Sequence, residues 1–326
     1  MRESHRKRAY KDLQLLENDW VGSRLKRVIA NLQGGIGNQL FTLFASYHIS
    51  LHHHANLTLD KTLIARSNSK HPDCIEELEI RFGNNLLTFK VKRFNKLQFC
   101  STIERALYKL IYPRMRSGKI LNHYRSRVFG FDPHILSIRP SVELTGYFQT
   151  YRYVDEIVTK FGSISIKQLD PSLWFRSLES QIVNTGNSVA IHVRRGDYQD
   201  HKGTLGMLSD EYFLNALSRA ENFFKIDKVF IFSDSIPSAN LLKSKITNLD
   251  CTVVVPPEGN FPTESLLLMS KCQIRIISNS TFSWWSGYLG LQQEKVIAPS
   301  PWYRNHEEPE FLIPHKWIRE DAIWVY

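Results

Sequence analysis

Polar residues able to handle phosphate gather at three places in the second half of the chain, each at the end of a short β-branched run. His192, Arg194, Arg195 and Asp197 close or follow SVAIHV (188–193), and Ser233 and Asp234 close KVFIFS (228–233). Ser278, Asn279, Ser280, Thr281 and Phe282 follow QIRIIS (273–278). Arginine offers a planar, permanently charged fork that suits phosphate oxygens. The string SNSTF, set ahead of a helical pattern, supplies hydroxyls and backbone N–H groups at the positive end of a helix dipole, an anion site. Asp234, one strand away, can accept from a base edge or a ribose hydroxyl. Together these groups describe a nucleoside diphosphate site that requires no metal. Singly each has an ordinary structural use: Asp234 to cap a loop, Ser280 or Thr281 to cap the helix, Arg194 to pair with Asp197.

The elements that must position these residues follow from the pattern around them. Strand-like runs at 188–193, 228–233, 252–255, 273–278 and 295–298 alternate with helical patterns near 210–224, 237–247, 263–270 and 282–290. Such alternation predicts a parallel sheet covered on both faces, with ligands at the carboxyl ends of its strands. The first half opens in the same way, with RVIANLQ (27–33), the turn GGIGN (34–38), an apolar helix near 38–51 and NLTLD (56–60). The reading is an α/β protein of two Rossmann-like domains. Residues 1–26 form an extension, 27–165 the first domain and 166–326 the second, with the boundary between 150 and 185.

GGIGN opens a helix after a strand, and Asp60 lies at the end of the next strand, so Gly35, Gly37 and Asp60 make half of a dinucleotide fingerprint. Leu40 occupies the third glycine position. A simpler use of these glycines is a tight turn and close backbone approach to whatever fills the crevice. His48, His52, His53 and His54 crowd together, yet Ile49 stands where a zinc-protease helix needs glutamate. They read as a wet helix end. The cysteines at 74, 100, 251 and 272 are too few and too dispersed for a disulfide framework and read as reduced core thiols. Arg195-Gly196-Asp197 spells an adhesion tripeptide, which the strand context assigns to an internal site.

The chain has 326 residues and a net charge of +10, with 42% apolar and 23% charged residues, the composition of a folded, soluble globular protein. Its N-terminus lacks an apolar signal core, and no apolar run approaches the ~18 residues that span a bilayer. The expectation is a cytoplasmic protein. Residues 90–127 hold eleven Lys/Arg against one acid, Glu104, at amphipathic spacing. That segment predicts either a solvated helix face or peripheral contact with an anionic membrane. No module with interleaved stacking aromatics suggests nucleic-acid binding.

As a set, GGIGNQLF (34–41), GYFQTYRY (146–153), HVRRGDY (192–198), FSDS (232–235) and LLMSKCQIRIISNSTFSWWSGYL (267–289) resemble the α-1,2-fucosyltransferases of glycosyltransferase family eleven. The matches run in order from about residue 27 to 300. The resemblance implies a GT-B type fold, two Rossmann-like domains facing across a cleft, and inverting transfer of fucose from GDP-fucose to the 2-hydroxyl of a galactose-terminated, conceivably lipid-linked, glycan. It implies no metal and no other cofactor. Carried over by motif, Arg194 faces the pyrophosphate, His192 lies beside the nucleotide, Asp234 contacts the guanosine, Ser280, Thr281 and Phe282 form a second phosphate cradle, and Asn38 lies on the opposite wall. Gly35, Gly37, Gln39, Arg195, Ser233, Ser278 and Asn279 complete the expected GDP-fucose site. The chain departs from the pattern at Thr42-Leu43 and at Ile274-Arg275.

Residue chemistry points the same way. Breaking a glycosyl–phosphate bond puts negative charge on the leaving diphosphate, which Arg194 and the helix opening at 280–282 would stabilise. The chain has no D-x-D string to hold a divalent ion against the diphosphate. Asp197 or Asp200 is the nearest candidate base for the acceptor hydroxyl. Two other readings stay open at this level: an NAD-dependent oxidoreductase built on Gly35, Gly37 and Asp60, and a non-catalytic glycan- or lipid-binding protein.

Overall fold

A computed structural model describes residues 26–66, 74–92, 122–196, 203–223, 225–291 and 293–325. Strand β1 (Arg27–Asn31) leads into helix α1 (Ile36–His53), β2 (Asn56–Asp60) and the short α2 (Thr62–Arg66). Strands β3 (Leu78–Phe82), β4 (Asn85–Leu86), β5 (Lys90–Lys92), β6 (Asn122–Arg125) and β7 (Val142–Thr145) follow. Helix α3 (Arg152–Phe161), β8 (Ile164–Gln168) and α4 (Leu173–Asn184) then carry the chain across to the second sheet. That half runs β9 (Ser188–Val193), α5 (Asp210–Glu221), β10 (Lys228–Ser233), α6 (Ile236–Lys245), β11 (Cys251–Val254) and α7 (Pro262–Lys271). It ends with β12 (Ile274–Ile276), α8 (Thr281–Leu289), β13 (Val296–Ser300) and β14 (Ile318–Asp321).

The second sheet has the order β11-β10-β9-β12-β13-β14, every pair parallel. Counted along the chain this is 3-2-1-4-5-6, the dinucleotide-fold order. The first sheet, β5-β2-β1-β7-β6, is also all parallel and reverses direction between β1 and β7. In such sheets a ligand crevice opens where the order reverses, outside the carboxyl ends of the two flanking strands. The reversals here fall between β1 and β7 and between β9 and β12. The expected α/β architecture of two parallel sheets is the one found.

Burial follows the strand period. Val189, Ile191 and Val193 face one core with α5 and α6, while Ala190 faces the other with α7 and α8. The second of these cores is continuous with that of the first sheet. Phe41 of α1 sits 4.5 Å from Trp284 and 4.9 Å from Trp285 of α8. The two sheets are therefore joined by packed aromatic rings at the base of the crevice.

Three features depart from the sequence reading. Helix α1 starts at Ile36, inside the glycine turn, so that Gly37 is helical. A three-stranded antiparallel sheet, β4-β3-β8, joins residues far apart in the chain, and β14 adds a sixth strand after 300. The alternating burial of LEIRF in β3 shows that a period-2 signal was present. The extension 1–25, most of the basic segment (93–121) with its expected amphipathic helix, Cys100, Asp197 and Asp200 lie outside the described residues. Among the described residues no helix is long and apolar enough to cross a membrane.

Candidate active site

A cavity of about 630 Å³ lies between the two sheets, a volume typical of small-ligand sites. Its walls come from the carboxyl ends of the strands at both reversals. Gly34 to Asn38 follow β1, and Tyr147 and Gln149 follow β7. His192 and Arg194 close β9, and Asn279 to Phe282 follow β12. Ser233 and Asp234 at the end of β10, and Asn260, Phe261 and Ser265 after β11, complete the second-sheet wall.

Three helices begin at this cavity, and of these α7 carries the acid Glu264 in its first turn while α1 and α8 do not. The first-turn N–H groups of a helix have no intrahelical partner, and the helix dipole makes that end positive. The N-cap of α1 is Gly35, which has no side chain to satisfy them, and neither α1 nor α8 has an acid in its first turn. At α8 the Ser280 hydroxyl accepts the Phe282 N–H at 3.4 Å. The α1 and α8 starts touch: a Cβ on Gly37 would lie 2.4 Å from the carbonyl carbon of Thr281. The Trp285 indole N–H donates to the Gly37 carbonyl at 2.9 Å and holds them together.

Arg194, one residue beyond the end of β9, lines the same cavity. Its Nη1 pairs with Oδ2 of Asp234 at 3.0 Å, and its side chain is 18% exposed. The same carboxylate accepts the backbone N–H of Arg195 at 2.8 Å and of Gly196 at 3.1 Å. Asp234 therefore fixes the turn that carries Arg194. The carboxylate also lines the cavity, so the loop-capping use and the expected nucleoside contact share one residue. The Ser233 hydroxyl is likewise occupied, donating to the Val193 carbonyl and accepting the Ser235 N–H.

Strand alternation separates the two arginines. His192 and Arg194 share one face of β9 and line the cavity; Arg195 faces the other way. Its buried guanidinium donates to the Leu208 carbonyl at 2.6 Å and pairs with Asp210 at 2.9 Å. Arg195 is therefore not on the cavity wall, and its guanidinium ties the end of β9 to the start of α5. Gln39 and Ser278 also leave the wall, Gln39 donating to the Gly34 carbonyl and Ser278 lying behind His192. Asn279 lines the cavity, and its amide donates to the carbonyls of Leu205 and Gly206. Asp60 is buried off the wall, accepting the Thr62 N–H at the start of α2. That is a capping use and leaves the dinucleotide fingerprint without its acid.

His192 is 3% exposed, with Nδ1 2.9 Å from the Ser278 hydroxyl and its ring 5.3 Å from that of Phe282. Burial holds its pKa down at about 3, against the pull of Asp234 and with the push of Arg194. The ring is neutral at physiological pH. Because the unfolded chain binds a proton here below about 6.5 and the folded chain does not until about 3, the group's contribution to stability is complete above 6.5. It is lost as pH falls, by up to about 1.4 kcal/mol per pH unit. Melting temperature is expected to drop between pH 7 and pH 5, and by less in His192→Gln. An identical drop in both proteins would assign the acid sensitivity to other groups.

The first-sheet wall carries polar residues that the sequence reading left out. The Tyr303 hydroxyl donates to Oε1 of Gln149 at 2.9 Å, and Nε2 of Gln149 donates to Oδ1 of Asn38 at 3.0 Å. Burial pushes the Tyr303 phenol up to about 12, so it remains a donor. Phe148, between two wall residues, has φ 51, a conformation that costs a bulky residue about 1–3 kcal/mol. It places the Phe148 ring in the core while Tyr147 and Gln149 reach the cavity. The string GYFQTYRY contained this signal. Tyr303, 154 positions from Gln149, had none.

The histidine cluster ends α1 as expected, with His52 and His54 exposed and His48 and His53 half-buried. His48 pairs with Glu156 at 2.7 Å, and His54 ends α1 in the left-handed region. Among the described residues no three His, Cys, Asp or Glu side chains stand where they could hold a metal ion. Cys74, Cys251 and Cys272 are buried free thiols.

Comparison with known proteins bears on this geometry. Residues 147–321 match the family described as Glycosyl transferase family 11. An alpha-1,2-colitosyltransferase of Escherichia coli is 29% identical over 308 residues, covering 90% of this chain and 98% of that protein. The O-antigen biosynthesis glycosyltransferase WbnK of Escherichia coli is 24% identical over 311 residues, covering 88% and 98%. A galactoside 2-alpha-L-fucosyltransferase of Caenorhabditis elegans is 22% identical over 185 residues, covering 54% and 48%. The matched stretch, more than half the chain, includes every strand end of the second-sheet wall, and on it this chain belongs to glycosyl transferase family 11.

Proposed function

We propose that this chain is an inverting α-1,2-fucosyltransferase that moves L-fucose from GDP-fucose to the 2-hydroxyl of a galactose-containing glycan. The observation that carries the reading is the convergence of Arg194 with two helix starts on one cavity, in a chain of this family. As the bond to the anomeric carbon breaks, negative charge grows on the diphosphate. Arg194 and the first-turn N–H groups of α1 and α8 are already oriented toward it, so little reorganisation opposes the step. Asp234 supports this by holding Arg194 in place. Neutral His192 adds a polar edge without adding charge.

The second half of the chain, 166–326, is the proposed nucleotide side and 27–165 the acceptor side. On that side Asn38 and Gln149, joined by Tyr303 reaching across from the second half, offer an array of amide and hydroxyl groups for sugar hydroxyls. Asp234 is the one carboxylate among the described residues of the cavity wall, and three donors already engage it. The acceptor proton is assigned to Asp197, three positions beyond Arg194 in the chain.

One relative favours a second reading for the donor, because the 29% identical protein is named for transfer of colitose, the 3-deoxy analogue of L-fucose. The two readings share the nucleotide wall and differ in the sugar subsite. The purified protein, given lactose and either GDP-fucose or GDP-colitose, is expected to make an α-1,2-fucosylated product, identified by NMR, and to do so in excess EDTA. Transfer of colitose alone would move the reading to the second donor. Turnover abolished by chelation and restored by a divalent ion would overturn the metal-free mechanism.

A further inference from the structure

Arg194 and the starts of α1 and α8 leave two aromatic rings on the first-sheet wall unexplained. Phe129, after β6, and Tyr147, after β7, both line the cavity and stack with centroids 5.5 Å apart and planes at 20°. One face of Phe129 lies on Tyr147, and the residue is still 56% exposed. A phenylalanine left this open forgoes burial, and here the loop is built to keep it there. The Phe129 carbonyl accepts the Gln149 N–H at 2.6 Å. Three residues on, the buried Asp132 carboxylate ties the loop together, accepting from the hydroxyls of Tyr124 and Ser126. The ring is presented, not frayed.

We propose that the Phe129–Tyr147 pair is the platform on which the galactopyranosyl ring of the acceptor lies, an inference that rests on the transferase reading above. A galactopyranose turns its C3–H, C4–H and C5–H bonds to one face because its 4-hydroxyl is axial, which makes an apolar patch the size of an aromatic ring. A glucopyranose turns C4–H to the other face, so its C3–H and C5–H are not joined into one patch and the apolar contact is weaker. The hydroxyls around the ring edge need polar partners, and the Tyr303–Gln149–Asn38 array lies on the same wall. The cavity is continuous from this platform to Arg194, so a ring stacked on Phe129 lies beside a donor whose diphosphate occupies the opposite wall.

The test uses methyl β-galactoside and methyl β-glucoside with the full chain, read by saturation-transfer NMR, together with transfer kinetics and GDP affinity by calorimetry. The galactoside is expected to show its strongest saturation at H3, H4 and H5, and the glucoside little. Phe129→Ala is expected to lose that saturation and raise the acceptor KM about tenfold, ~1.4 kcal/mol of binding, with GDP affinity and melting temperature at wild-type values. Phe129→Trp should retain the platform. Unchanged saturation and acceptor KM in a folded Phe129→Ala protein would overturn the proposal, as would a rise in donor KM instead, which would place the donor sugar on the rings. No galactoside saturation in the wild-type protein would also overturn it. Saturation that depends on Phe129 in a protein that transfers no sugar would keep the platform and overturn the transferase reading.

Discussion

Arg194→Ala is expected to lower turnover with the nucleotide sugar by about 10²–10³-fold, the loss found when one preorganised charge-stabilising donor is removed. The loss should appear in kcat as well as in donor affinity, because the leaving diphosphate carries more charge in the transition state than in the ground state. Arg194→Lys should recover little. The Asp234 pair fixes one Nη of a planar fork, and a point charge on a flexible stem cannot serve Asp234 and a phosphate oxygen together. The side chain is partly exposed and its removal opens no core, so circular dichroism and melting temperature should stay near wild type. Removing Arg194 also leaves the Asp234 carboxylate facing the cavity with two N–H donors and no cation, which repels the diphosphate and adds to the loss. A folded Arg194→Ala protein with near-normal turnover would remove this residue from the mechanism.

The proposed nucleotide wall was legible because its parts lie at the ends of short, nearly unbroken β-branched runs. SVAIHV is buried at all six positions, and a strand buried on both faces must belong to a covered parallel sheet. Polar residues that close such strands have the cavity as their natural place. The same logic does not separate Arg195, which lies off the wall, from Arg194. Period-2 alternation puts it opposite to His192 and Arg194, and that signal was available in the sequence. Asp234 is a different case. Composition places a carboxylate at the strand end, but the turn geometry that brings the Arg195 and Gly196 N–H groups to it is a tertiary fact.

The acceptor wall was less legible for a related reason. Phe129, Gln149 and Tyr303 come from three loops, and none follows a long apolar strand that would announce its position. Tyr303 reaches Gln149 only because the chain after β13 turns back under a clamp, in which Arg319 holds Glu308 and Glu308 accepts the Trp302 N–H. Arg275, a departure from the family pattern, proves to be a packing residue. It is 1% exposed, donates to the carbonyls of Cys272 and Gln273, and lies against Gly290. Departures of this kind leave the cavity wall unchanged.

Gly37→Ala is expected to reduce kcat/KM by about 100-fold and to lower the melting temperature, although alanine is the better helix former by about 0.5–1 kcal/mol. Gly37 lies inside α1, so its backbone conformation tolerates a side chain and only the space around it decides the outcome. The added Cβ would meet the Thr281 carbonyl carbon at 2.4 Å, its oxygen at 2.5 Å and the Phe282 nitrogen at 2.7 Å, all backbone atoms of the α8 start. Carbon atoms in contact prefer about 3.5–4.0 Å, so the two helix starts would have to part by roughly 1 Å. They are held against parting by the Trp285 N–H bond to the Gly37 carbonyl and by Phe41 wedged against Trp284 and Trp285. Either the aromatic core yields, at a cost of about 1–3 kcal/mol, or the N–H groups proposed to bind the diphosphate move apart. Both outcomes would reduce the rise in melting temperature expected from GDP in the wild-type protein. Gly203→Ala, where an added Cβ meets nothing within 4 Å, supplies the control and should leave melting temperature unchanged. Wild-type melting temperature, GDP stabilisation and turnover in Gly37→Ala would mean that the helix starts separate freely and that their contact does not build the anion site.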